Sequence, residues 1–204
     1  MSGNRLDKLK TIKKHRIAAL ISGSGSNLQA LIDACASADY PAQIVLVISN
    51  KDDAYGVVRA ANAKIPAHVI RHTDYATRAE FDAKMHELLV QYEVEIVCLA
   101  GFMRLLSKDF VEAWHGRMLN IHPSLLPEFK GAHAVRDALA AGAKESGCTV
   151  HLVTKEVDAG EIIGQARVPV LAGDSEQDLH QRIHAQEHIL YPHALKTLIE
   201  KLAA

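Results

Sequence analysis

Asn120 and His122 stand two residues apart ahead of Pro123, and Asp158 follows in Val157-Asp158-Ala159-Gly160. An amide that polarises a carbonyl, an imidazole that moves a proton and a carboxylate that orients the imidazole form a working set for acyl transfer. On a strand the first two side chains leave the same face and can meet one substrate atom. Pro123 and Pro127 exclude a helix and predict a presented loop. Each residue also has an ordinary reading, Asn120 and His122 as a plain strand end and Asp158 as a turn residue that satisfies backbone donors.

The elements that must position this set read as alternating strands and helices. Arg16 to Ser22 is an apolar run stopped by Gly23-Ser24-Gly25-Ser26-Asn27, after which Leu28, Leu31 and Ile32 recur at helical spacing. Such a strand, glycine loop and helix start suits a phosphate, because free N–H groups and the positive helix end point the same way. Gly- and Ser-rich turns also occur without ligands, so the loop alone leaves both readings open. Ile44–Ile48 and Ile96–Ala100 are continuous apolar runs of the kind buried on both faces, and His68–Ile70 is a further strand. Helices are expected over Tyr55–Lys64, Ala76–Tyr92 and Ala134–Ala141, and a long one from Ser175 to about Glu200.

Alternation of this kind predicts a doubly wound α/β fold, mostly parallel, with helices on both faces and a Rossmann-like N-terminal half. Cys148–Val153 and Ile162–Val170 are expected to form an antiparallel hairpin around the turn that carries Asp158. Ligands of such sheets collect at the carboxyl ends of the strands. The Gly23 loop, Gly101 to Leu106 and the Asn120 stretch all follow strands, so all three are expected to face one crevice.

Composition narrows the function classes. The 204 residues carry a formal net charge of −1, which provides no global attraction for nucleic acid or an anionic membrane. Hydrophobic residues make up 49% and charged residues 23%, enough for a substantial core in one domain over 16–204. The basic run over 1–15 reads as a flexible solvated leader. No apolar run reaches the ~18 residues of a membrane span, and three cysteines without a Cys-x-x-Cys pair fit a reducing compartment, so the expected location is the cytoplasm. His180, His184 and His188 form a stripe at helical spacing, readable as a metal site or as ordinary solvated histidines; no second ligand pattern accompanies it, and no metal is expected. Arg78, in a first helical turn where a cation is disfavoured, suits a ligand's carboxylate or a commoner surface ion pair.

Ile21-Ser-Gly-Ser-Gly-Ser-Asn-Leu-Gln-Ala-Leu-Ile32, Leu99-Ala-Gly-Phe-Met-Arg104, Asn120-Ile-His-Pro-Ser-Leu-Leu-Pro127 and Ala172-Gly-Asp-Ser-Glu176 together resemble the folate-dependent formyltransferases. The likeness runs from about Ile17 to the end and is nearest to the members that formylate glycinamide ribonucleotide (GAR) in purine synthesis. It implies transfer of the formyl group of 10-formyltetrahydrofolate to the GAR amine, without metal, by a monomer or homodimer. It gives Asn120, His122 and Asp158 catalytic roles, Gly25, Ser26 and Asn27 the substrate phosphate, and Glu187 the ribose hydroxyls. His184 falls where relatives carry a polar or basic phosphate contact. Folate would lie against Met103, Arg104, Leu105, Leu106, Thr154 and Val157, with Arg78 near its glutamate. Glu128 to His133 departs from a Pro-Gly-Leu-His found in many relatives. Three rivals are a formyltetrahydrofolate hydrolase, a transfer-RNA formyltransferase and a non-enzymatic phosphosugar-binding module. The short stretch before the first strand argues against the first and the lack of net positive charge against the second, while the intact Asn, His and Asp set argues against the third.

Overall fold

The structure is a computed structural model in which residues 13–204 are described. Residues 1–12 of the expected leader lie outside the described residues. Within the described residues, Lys14 Nζ reaches the carbonyls of Cys35 and Ser37, and His15 pairs with Ala42.

Seven strands form one sheet. They are β1 (His15–Ile21), β2 (Ala42–Ser49), β3 (Ala67–Val69), β4 (Ile96–Leu99), β5 (Met118–His122), β6 (Glu145–Leu152) and β7 (Ile162–Pro169), in the order β3-β2-β1-β4-β5-β6-β7. β3 to β5 across this order pair in parallel, whereas β6 pairs antiparallel with both β5 and β7. The helices are α1 (Ser26–Cys35), α2 (Tyr55–Asn62), α3 (Arg78–Gln91), α4 (Lys108–Ala113), α5 (Ala134–Ala140) and α6 (Glu176–Leu202). The expected α/β architecture and C-terminal hairpin are therefore present.

The period of two in β1 explains why it is apolar throughout. Ile17, Ala19 and Ile21 enter one core with Leu28 and Leu31 of α1 and Leu195 of α6, while Ala18 and Leu20 enter the other with Phe81, Met85 and Leu89 of α3. A strand covered on both faces has no polar side to show.

Helix starts were less regular than the apolar pattern. α3 begins at Arg78, not Ala76, because Thr77 and Glu80 form a reciprocal capping box that fixes the first turn. Ser175 and Asp178 do the same for α6. α4 was not indicated by the sequence pattern: its six residues are too few to show a period, and its signal is the cap of Ser107 on Phe110 N–H.

Tyr191 of α6 ties the two middle strands together. Fully buried, its hydroxyl donates toward the carbonyls of Leu99 at 3.1 Å, the last residue of β4, and Leu119 at 3.2 Å, near the start of β5. Tyr191→Phe removes the donor and keeps the ring. It is expected to cost about 1–2 kcal/mol, read as a fall of roughly 2–8 °C in Tm by thermal melting; an unchanged Tm would show that the hydroxyl contributes nothing.

Candidate active site

Asn120 and His122 lie on β5, facing His151 and Thr149 of β6 in antiparallel register. Side chains two apart share a face, so Asn120, His122 and His151 converge. Asn120 Nδ2 is 3.2 Å from His151 Nε2, and His151 Nδ1 donates to the carbonyl of Leu152 at 2.9 Å.

Asp158 sits in the turn between β6 and β7 with φ +49°. Its side chain is only 9% exposed, with Oδ2 3.4 Å from His122 Nδ1 and Oδ1 3.5 Å from His151 Nε2. The Gly131 N–H donates to Oδ2 at 2.8 Å. Burial pushes the Asp158 carboxyl up, but His151, the Gly131 N–H and the nearby His122 outweigh it and bring the pKa down to about 2. The turn reaches this position because Gly160 lies against the chain: a Cβ there would stand 1.7 Å from the Leu152 carbonyl oxygen.

The other side of His122 is set by the proline loop. Its Nε2 is 2.9 Å from the Phe129 carbonyl, which can only accept, so this nitrogen carries a proton. Thr149 holds the loop there: its hydroxyl donates to Ser124 O at 2.6 Å and accepts from Leu126 N–H at 3.1 Å. Gln165 Nε2 adds a bond to Leu126 O at 2.9 Å. His122 is thus flanked by two acceptors, a carboxylate and a carbonyl.

The glycine loop abuts this set from β1. Ser22 N–H donates to Gly101 O at 3.1 Å, and Met103 N–H to Ser22 Oγ at 2.8 Å, so the loops after β1 and β4 share one crevice as expected. Gly25 caps α1 at φ +69°, and Ser26 and Asn27 open the helix. Asn27 Nδ2 donates to Glu187 Oε2 of α6 at 2.8 Å, and His184 Nε2 is 3.7 Å from the same oxygen. Burial raises the Glu187 carboxyl above its ordinary range, offset in part by Asn27 and by His180, His188 and His122.

Against this geometry the comparisons with known proteins are consistent. Residues 15–195 match the formyl transferase family. The chain belongs to that family. Phosphoribosylglycinamide formyltransferase of Escherichia coli K12 is 48% identical over 176 residues, covering 86% of this chain and 83% of that protein. The crystal structure of glycinamide ribonucleotide transformylase 1 from Symbiobacterium toebii superposes with a TM-score of 0.88 at 50% identity, covering 90% of this chain and 86% of that one. The trifunctional purine biosynthetic protein adenosine-3 of Chironomus tentans is 53% identical over 194 residues, but the chain spans only 14% of its length.

In this member of the family the residues expected near folate fall into two groups. Met103, Leu105 and Val157 are apolar yet 76%, 58% and 52% exposed. Leu106 packs on the second core, and Thr154 Oγ1 donates to Glu156 O at 3.0 Å, which shapes the Asp158 turn. Arg104 is partly buried, its Nε without a partner among the described residues, and Arg78 is exposed at the first position of α3. Both cations act on buried Asp82, whose carboxylate accepts from Ser107 N–H at 2.5 Å.

The solvated reading of the histidine stripe holds only for His180, which is exposed; His184 and His188 are half-buried. Among the described residues no group of three His, Cys, Asp or Glu is arranged to hold a metal. Three participants were not singled out from the sequence. His151 and Thr149 read as strand residues, though Thr-x-His mirrors Asn-x-His across the β5–β6 pair. Arg59 of α2 donates to Ser24 O at 2.9 Å and steadies the glycine loop, and no sequence signal marks it.

Gly25 is irreplaceable on two counts. A Cβ would stand 2.6 Å from Gly56 Cα, and its φ lies in the left-handed region. Gly25→Ala is expected to cost about 2 kcal/mol or more in stability, measured by urea unfolding. An unchanged midpoint would mean that the loop relaxes freely.

Proposed function

We propose that the protein transfers the formyl group of 10-formyltetrahydrofolate to the amine of GAR, giving formyl-GAR and tetrahydrofolate in purine synthesis. The observation that carries this reading is the convergence of Asn120, His122 and Asp158 at the strand ends that also carry the glycine loop. The relatives' names support the same reaction.

In the first step the GAR amine attacks the formyl carbon, and the carbonyl electron pair moves onto oxygen. The Asn120 amide and a His122 N–H stabilise that oxyanion, a contribution whose removal typically costs ~10²–10³ in rate. The bond from carbon to the folate nitrogen then breaks, its electron pair leaving on nitrogen. The Nε2 proton now accepted by Phe129 O is the one available to that nitrogen, and the attacking amine's surplus proton restores it. Asp158 orients the ring, while His151 holds Asn120 in place.

Gly25, Ser26 and Asn27 would receive the substrate phosphate at the α1 N-terminus, and Glu187 the ribose hydroxyls. The exposed faces of Met103, Leu105 and Val157 suit a flat pteridine ring, with Arg78 and Arg104 as partners for carboxylates. Three free thiols support a cytoplasmic setting.

The test is a spectrophotometric assay of tetrahydrofolate release from 10-formyltetrahydrofolate with and without GAR. Release only with GAR is expected, whereas release without it makes the protein a hydrolase. Asp158→Asn should lower kcat by about 10²-fold or more with GAR affinity kept; near-normal turnover would remove Asp158 from the mechanism. Asn27→Ala should raise KM for GAR about tenfold, the loss of one bond to a charged group, and leave KM for folate unchanged. An equal rise in both would contradict the phosphate assignment.

A further inference from the structure

His180, His184 and His188 stand on one face of α6 as a ladder of rings. The centroids of His180 and His184 are 4.1 Å apart, and those of His184 and His188 are 6.0 Å apart and nearly parallel. Cations that close repel, so protonation of one rung disfavours protonation of the next. The middle rung is also the one that reaches the glycine-loop side, through the Glu187 oxygen it shares with Asn27.

The surroundings decide the sign. Along α6 the ladder faces Glu187 and, near His180, Glu176. From β5, His122 acts on the same Glu187. From α1 and α2, Asp33 and Arg59 line a surface depression with His188, Ser26 and Gln29, at the opening of the α1 N-terminus. Burial and the neighbouring ring hold His180 and His184 below the ordinary histidine value, and His188 Nε2 is buried with no partner among the described residues. In the free protein the surroundings of His180 and His184 therefore favour their neutral rings.

We infer that docking of the GAR phosphate at the α1 N-terminus is coupled to uptake of one proton at His184. The inference rests on the GAR reading above and adds to it a regulation of the same site. A phosphate dianion beside His184 favours the charged ring, so the pKa in the complex rises above its value in the free protein. Between these two values binding takes up a proton, and affinity falls as pH rises, by up to about tenfold per unit. Below the free value the ring is charged in both states, and above the bound value in neither, so affinity is flat there. A permanent cation at this position would show no such dependence.

Titration calorimetry of GAR binding tests this in buffers of differing ionisation enthalpy at about pH 7.5, where a phosphate ester is already dianionic. His184→Lys serves as the comparison, since the titrations of GAR itself are common to both proteins. Wild type is expected to take up more protons on binding than His184→Lys, and its Kd to rise more steeply with pH. His184→Gln, a neutral variant, should bind more weakly than wild type at about pH 6.5 and lack the extra proton. Equal proton uptake in wild type and His184→Lys, with GAR bound by both, overturns the coupling and leaves the GAR reading intact. Absence of GAR binding to folded wild type overturns both, and the formyl-donor assay would then show no dependence on GAR.

Discussion

One carboxylate, that of Asp158, makes demands that the rest of the site is built to meet. An ionised carboxylate buried without partners costs several kcal/mol, which would ordinarily drive it to protonate or turn outward. Here His122 and His151 approach its two oxygens and a Gly131 N–H completes the shell. Each partner comes from a different place: β5, β6 and the end of the proline loop. Gly160 lets the β6–β7 turn fold onto Leu152, and Thr149 and Gln165 pin the proline loop, so the partners meet only when strand register and both loops are correct.

α6 joins the Asn120, His122 and Asp158 cluster to the glycine loop at the α1 N-terminus. Tyr191 bonds to carbonyls of β4 and β5, and four residues earlier Glu187 receives Asn27 from the α1 N-terminus. One rigid helix thus references both half-sites to the same strands. The capping box at Ser175 and the paired contacts of Arg182 with Asp174 fix where that helix begins. Across the crevice, Ser22 links the loops after β1 and β4, so Gly25 and Met103 share a common frame.

Much of this was legible in the sequence because it rests on local periodicity. Continuous apolar runs identified the doubly covered strands, glycine punctuation identified the loop after β1, and the spacing of Asn120 and His122 put them on one strand face. Asp158 was legible as a candidate carboxylate for His122 but equally as a turn residue; its approach to His122 depends on strands β5 and β6 lying side by side. His151 was missed for the same reason, since only the pairing of Asn120 with His151 reveals that an apolar strand carries an inward imidazole. Glu187 and His184 carried no local signal beyond helical spacing, and their meeting with Asn27 joins residues from opposite ends of the chain. Short range patterns place elements; long range register makes the site.

The measurement that tests this account most directly is a carboxyl ¹³C titration of Asp158 in the folded protein. The account predicts no protonation as pH falls from 7 to about 3, with a midpoint at about 2. A midpoint at or above the ordinary 3.8 would contradict it, because His151, Gly131 and His122 would then fail to outweigh the cost of burying the carboxylate.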